Sequence, residues 1–154
     1  MTQNKALPPY RLHQSLAYHM SVAARVQEKR LDDGLKTLGL TRTTWCVLLA
    51  VGVEGLQQPS EIALFVGIDR TATSRALRQM ETAGLIARSS GAADRRTTDV
   101  ILTDKGCDTL AQGTPIAMDN NAGLDALLSA KEKAELLRLL GILKARDPQS
   151  LPRL

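Results

Sequence analysis

Six arginines fall between Asp69 and Arg96: Arg70, Arg75, Arg78, Arg88, Arg95 and Arg96. Three acids, Asp69, Glu81 and Asp94, oppose them, so this stretch carries +3 of a formal net charge of +4 for the whole chain. A guanidinium presents its donors in a planar fork that matches a phosphate, or the O6/N7 edge of a guanine, with two parallel hydrogen bonds. Thr71, Thr73 and Ser74 stand among the first arginines and add hydroxyls that can bond phosphates or base edges. The chemistry this favours is recognition of a polyanion. Other chemistries are thinly supplied. Serine, histidine and aspartate all occur, but no nucleophile elbow, glycine-rich phosphate loop or metal-binding spacing accompanies them, which argues against an enzyme. His13 and His19 lie six residues apart and do not share a helix face well enough for a metal site. Cys46 and Cys107 belong to no CxxC or Cys/His cluster, so neither structural zinc nor a disulfide framework is expected. Cys107 falls near a helix start, where a thiol pKa can be lowered and a redox role would be sought, whereas Cys46 beside Trp45 reads as a small buried apolar residue.

The elements that must position the arginines can be read from period and punctuation. Asp69 is a good N-cap for a helix over Arg70–Ala83, and Gly84 suits the left-handed position that closes it, with Leu85 placed to touch Met80. Along that helix Ala72, Ala76, Met80 and Ala83 form the expected inward stripe, leaving Arg70, Thr71, Ser74, Arg75 and Arg78 outward. A shorter helix precedes it, opened by Pro59 and Glu61 and ended at Gly67, with Gln58 a poor cap. Ile62, Val66, Ile68 and Ala76 sit where these two helices must pack, and Ala63 is the small residue their crossing needs. Thr73 takes a place usually held by an aliphatic residue, where it still offers a methyl group. After Gly84, the β-prone runs Leu85–Ser89 and Thr98–Thr103 flank a polar tip, Ser90 to Arg96, and read as a β-hairpin. Two short helices around a glycine turn followed by a basic hairpin make a helix-turn-helix with a wing.

Around this unit the chain is helical. Leu12, Leu16, Met20, Ala23, Leu31, Leu35 and Leu38 recur at helical steps from Tyr10 onward, predicting a long amphipathic helix bent at Gly34 and stopped at Gly39. Thr41 caps a second helix, Arg42–Val51. Thr103 caps a helix running into the 120s that Pro115 should kink, and Ser129 with Glu132 forms a capping box for a last helix to about Arg146. The fold class expected is therefore mainly α with a small β-wing. A winged helix-turn-helix domain over 40–103 is joined to a helical dimerisation region over 1–38 and 104–147, with a flexible tail over 148–154. Leu124, Leu127, Leu128, Leu136, Leu137, Leu139, Leu140 and Leu143 offer more apolar surface than a small winged helix can cover. A homodimer would bury it; an intramolecular helical bundle is the alternative. Composition agrees with a globular protein, at 44% hydrophobic and 23% charged residues with only 3% aromatics. No signal-peptide core and no run near 18 apolar residues is seen, so the expectation is a cytoplasmic protein with no membrane partner.

The chain resembles the MarR family of winged-helix transcription regulators over nearly its whole length. The residues that carry the likeness are Asp94-Arg95-Arg96 followed by Leu102-Thr103-Asp104-Lys105-Gly106 in the wing. Gly67-Ile68-Asp69-Arg70, Leu77 and Gly84-Leu85-Ile86-Ala87-Arg88 resemble the recognition helix and its exit, and Leu40-Thr41, Trp45 and Val47-Leu48 the second helix. The resemblance implies a homodimer whose terminal helices intertwine, acting as a ligand-responsive repressor on double-stranded DNA. Two recognition helices would then meet successive major grooves about 34 Å apart on a near-palindromic operator. The DNA-contacting set it implies is Arg70, Thr71, Thr73, Ser74, Arg75, Arg78 and Arg88, with Arg96 reaching the minor groove, positioned by Asp94, and Arg95 on a phosphate. No cofactor is expected; the implied effector is a small aromatic or acyl carboxylate, or a thioester. Its pocket would lie where the helical region meets the winged domain, bordered by Tyr10, Arg11, His13, His19 and Trp45. The rival reading is a winged helix used for protein interaction without DNA, which would not need six arginines on these elements.

Overall fold

The computed structural model describes residues 9–90 and 98–145. A single 3-10 turn, Leu12–Gln14, leads into α1, Leu16–Lys36. Ser15 accepts from the Tyr18 N–H and caps this helix, so the long apolar period resolves into a turn and a helix rather than one continuous rod. α1 continues through Gly34, which has a packing role. A Cβ there would overlap the side chain of Ile116, so glycine is needed for the close approach of a later helix.

The second helix, α2 over Arg42–Gly52, is capped by Thr41, which accepts from the Thr44 N–H at 3.2 Å while Thr44 Oγ1 accepts from the Thr41 N–H at 2.9 Å. Next come α3 (Pro59–Val66) and α4 (Arg70–Thr82), joined through Gly67 at φ 80°. That left-handed conformation is strained for a residue with a Cβ and explains the glycine in the turn. The hairpin is β1 (Ile86–Ser90) antiparallel to β2 (Thr98–Leu102), in the register Ile86 opposite Leu102 and Arg88 opposite Val100. α5 runs from Asp104 to Asp125 and continues past Pro115, whose exposed position leaves the unpaired carbonyl one turn back free to meet water. α6 spans Ala130–Ala145 behind the expected capping box, with the Ser129 N–H donating to Glu132 Oε2 at 2.8 Å and the Glu132 N–H donating back to Ser129 Oγ.

The core belongs to the middle of the chain. Leu35, Leu40, Trp45, Val47, Leu48, Ala50, Ile62, Leu77, Met80, Leu85, Ile86 and Val100 form one buried cluster. α2 is its axis, touching α1, α3, α4, α5 and β2. By contrast α6 buries nothing, and Leu136, Leu137, Leu139, Ile142 and Leu143 are exposed along it, as are Leu12, Leu16 and Met20 near the start of the chain. None of the described helices is long and apolar enough to cross a membrane.

Candidate nucleic-acid interface

The local sequence of α4 separates its two faces cleanly. Thr73, Ala76, Leu77 and Met80 are buried, and the helical period places Thr71, Ser74, Arg75 and Arg78 on the opposite stripe, all exposed, with Arg70 at the first turn. This corrects the expected inward set. Ala83 is exposed and Ala72 only half-buried, because the larger Leu77 takes the centre of the packing face and turns the helix toward it. It also corrects the place of Thr73, which is 2% exposed, with its hydroxyl donating to the Asp69 carbonyl at 2.8 Å. Thr73 is a core residue and cannot reach a ligand outside. Asp69 caps the helix as expected, accepting from the Ala72 N–H at 2.7 Å.

Arg70, Thr71, Ser74, Arg75 and Arg78 together line an open cleft of about 420 Å³. Among the described residues no acid pairs with any of the three arginines. Among the described residues their guanidinium forks are thus uncommitted, and the cleft presents three positive charges with two hydroxyls between them. Such a surface can hold phosphates and read base edges; it has no carboxylate or thiol with which to perform acid–base or nucleophilic chemistry.

Arg88 is placed differently. It is half-buried on β1, and its Nη2 pairs with Glu81 of α4 at 3.0 Å. Asp94, Arg95 and Arg96 lie outside the described residues, as does the tip of the wing.

The base of the wing is tied to the exit of α4 by the residues that follow β2. Thr103 caps α5 and donates from Oγ1 to the Gly84 carbonyl at 2.6 Å, while Lys105 Nζ donates to the Ala83 carbonyl at 2.8 Å. A Cβ on Gly106 would overlap the Leu85 carbonyl oxygen, so only glycine allows α5 to sit this close. Leu102-Thr103-Asp104-Lys105-Gly106 is thus a junction that fixes the hairpin, α4 and α5 relative to one another. Sequence reading missed a second tie. Gln58 Nε2 donates to Asp99 Oδ1 at 2.5 Å, linking the start of α3 to β2 across 41 residues. A third holds α1 to α2: Arg42 meets Glu28 at 2.5 Å and Asp32 at 2.8 Å. The spacing of Glu28 and Asp32, one turn apart on α1, was the available signal for it.

The residues expected to border an effector pocket do not converge within one chain. Tyr10, Arg11, His13 and His19 are exposed around the start of α1, and His19 Nε2 lies 2.8 Å from the His13 carbonyl. Trp45 is 4% exposed and packs against Gly113 of α5, near the opposite end of α1. His19 precedes Gly34 by fifteen residues, roughly 22 Å of helix at about 1.5 Å per residue. Helical geometry, which the apolar period could not convey as a distance, separates them.

Three helices packed on α2, a glycine turn into an exposed basic helix, and a two-stranded hairpin make a winged helix-turn-helix fold. The MarR family model matches residues 38–97, the span from the end of α1 to the wing. A probable transcriptional regulator from Pseudomonas aeruginosa is 26% identical, over 86% of this chain and 99% of that one, with a TM-score of 0.78. CouR, a transcriptional repressor solved bound to a 23-mer DNA duplex, is 27% identical over 90% and 99% of the two chains, with a TM-score of 0.76. The organohalide-sensing transcriptional regulator RdhR, solved with bound 2,4-dichlorophenol, shares the fold at 20% identity over 99% and 90% of the chains, with a TM-score of 0.80. Over residues 38–97 the chain is thus similar to the MarR family, and over most of its length it shares the fold of winged-helix transcription regulators.

Proposed function

We propose that this protein is a sequence-specific repressor that binds double-stranded DNA as a homodimer and is released by a small organic effector. The observation that carries the reading is the α4 face: three arginines with no acid partner among the described residues, interleaved with Thr71 and Ser74, on a helix anchored by its buried opposite face. An exposed helix of this kind fits the major groove, and CouR, of the same fold, is bound to a duplex. Arg75 and Arg78 are the base-reading candidates, with Arg70, Thr71 and Ser74 beside them. Arg96, oriented by Asp94, and Arg95 supply minor-groove and phosphate contacts from the wing.

Dimerisation is supported by the uncovered leucines of α6 and the exposed apolar residues at the start of α1. Exposed apolar residues in this number along one helix are what an interface would cover. The dimerisation region comprises 1–38 and 104–147, and the DNA-binding domain 40–103. The effector reading draws on RdhR, which is solved with 2,4-dichlorophenol. Since Tyr10, Arg11, His13 and His19 stand far from Trp45 in one chain, a pocket containing both groups has to be completed by the second copy. A small aromatic or acyl carboxylate, or a thioester, would act there by favouring a DNA-incompetent spacing of the two α4 helices, because a ligand with equal affinity for both states shifts nothing.

A gel shift on DNA from upstream of the protein's own gene tests the reading. The unaltered chain should give a discrete complex that bulk DNA does not compete away. Arg75→Ala or Arg78→Ala should cost about 1–3 kcal/mol and relax preference at one position per half-site. If both variants keep full affinity and preference, α4 is not the reader, and the protein-interaction alternative takes its place.

A further inference from the structure

Arg88 lies in the stretch whose arginines point to DNA, yet its environment differs from that of Arg75 and Arg78. Alternation along β1 puts it on the same side of the hairpin as Ile86, which is 2% exposed. Its cross-strand partner is Val100, which is fully buried. The stem of Arg88 therefore lies on the core side of the wing. Its Nε is buried and, among the described residues, has no hydrogen-bond partner, while Nη2 is held by Glu81 at 3.0 Å. Glu81 belongs to the last turn of α4, and Arg88 to the strand that leads out to the wing tip; Gly84, at φ 72°, is the bend between them. Thr103 and Lys105 brace this corner from the α5 side, by bonds to the Gly84 and Ala83 carbonyls.

From this geometry we infer that Arg88 is a positioning residue and not a DNA contact: with Glu81 it forms a strut that sets the angle between the recognition helix and the wing. An apolar side chain would fill the core side of β1 without leaving a buried donor unpaired, so the guanidinium is poorly explained by packing alone. The pair spans the two elements that must engage one duplex together, the helix in the major groove and the hairpin beside it. Removing the strut leaves both elements intact but frees the angle at Gly84. The inference rests on the DNA-binding reading, and it predicts the sign of one substitution that a direct contact would reverse.

The test measures affinity for a duplex that the unaltered chain selects from random sequence. If Arg88 held a phosphate, Glu81→Gln would strengthen binding, by removing a negative charge near DNA and releasing the guanidinium. The strut requires the opposite: Glu81→Gln and Arg88→Met should each weaken binding about tenfold. The exchanged pair, Glu81→Arg with Arg88→Glu, should restore most of the affinity. Thermal unfolding of Arg88→Met should be no earlier than that of the unaltered chain, since the change removes a buried unpaired donor, which separates positioning from a loss of stability. Tighter or unchanged binding by Glu81→Gln, or no recovery in the exchanged pair, would overturn the inference. An unaltered chain that selects no duplex would instead overturn the DNA-binding reading beneath it.

Discussion

Single residues decide how tightly the winged unit is joined to the rest. Trp45 is the only tryptophan, and it fills the space between α2 and α5 because Gly113 leaves room for its ring. A Cβ at position 113 would lie 2.5 Å from Cζ3 and 3.0 Å from Cε3 of the indole. Alanine in a helix interior gains about 1 kcal/mol over glycine from backbone entropy, while overfilling a packed core costs about 1–3 kcal/mol. Because the ring is buried in the core cluster, the overlap should win. Gly113→Ala is expected to unfold a few degrees earlier in a thermal melt followed by Trp45 emission, and an unchanged or raised midpoint would contradict the packing described. The residue scale is also where sequence reading fell short. Thr73 among arginines looks like one more polar contact, but its polarity is satisfied inside, on the Asp69 carbonyl. The packing role of Gly34 was hidden because a helical period does not show which distant side chain, here Ile116, presses on it.

Elements were more legible, because their ends are written in local chemistry. Thr41, Asp69, Thr103 and Ser129 each cap the helix they precede, and Gly84 closes α4 in the left-handed conformation. These signals need only a few neighbouring residues, so they survive without tertiary knowledge. The ties between elements do not: Gln58 with Asp99, and Arg88 with Glu81, join residues whose meeting depends on the whole winged unit. The wing itself carries a separable prediction. Arg96 is proposed to act mainly through its charge, so Arg96→Ala should weaken binding across sequences and not alter the preferred one. For each phosphate no longer neutralised, the slope of log K against log salt should flatten by about 0.9, and Asp94→Ala should give a milder version. A slope identical to that of the unaltered chain would take the wing tip out of the interface.

At the scale of the molecule, the protein divides its apolar surface unequally. The segment around α2 buries a complete small core, whereas α6 carries leucines that its own chain leaves in solvent. The leucine count made that surplus visible in the sequence. What a single chain could not convey is where a second copy would lie, and the separation of Trp45 from the tyrosine–histidine group at the start of α1 follows from the same gap. The central claim is that two copies present their α4 helices to one duplex, and symmetry makes it testable through the DNA. A twofold dimer requires two half-sites in inverted orientation, with centres about 34 Å or 10 base pairs apart. The most direct measurement is selection of bound duplexes from a fully random pool, followed by sequencing of the enriched fraction. A twofold dimer should enrich a near-palindromic motif with that spacing, degraded within both half-sites when the selection is repeated with Arg78→Ala. Enrichment of a single unpaired half-site, or of no motif at all, would contradict it.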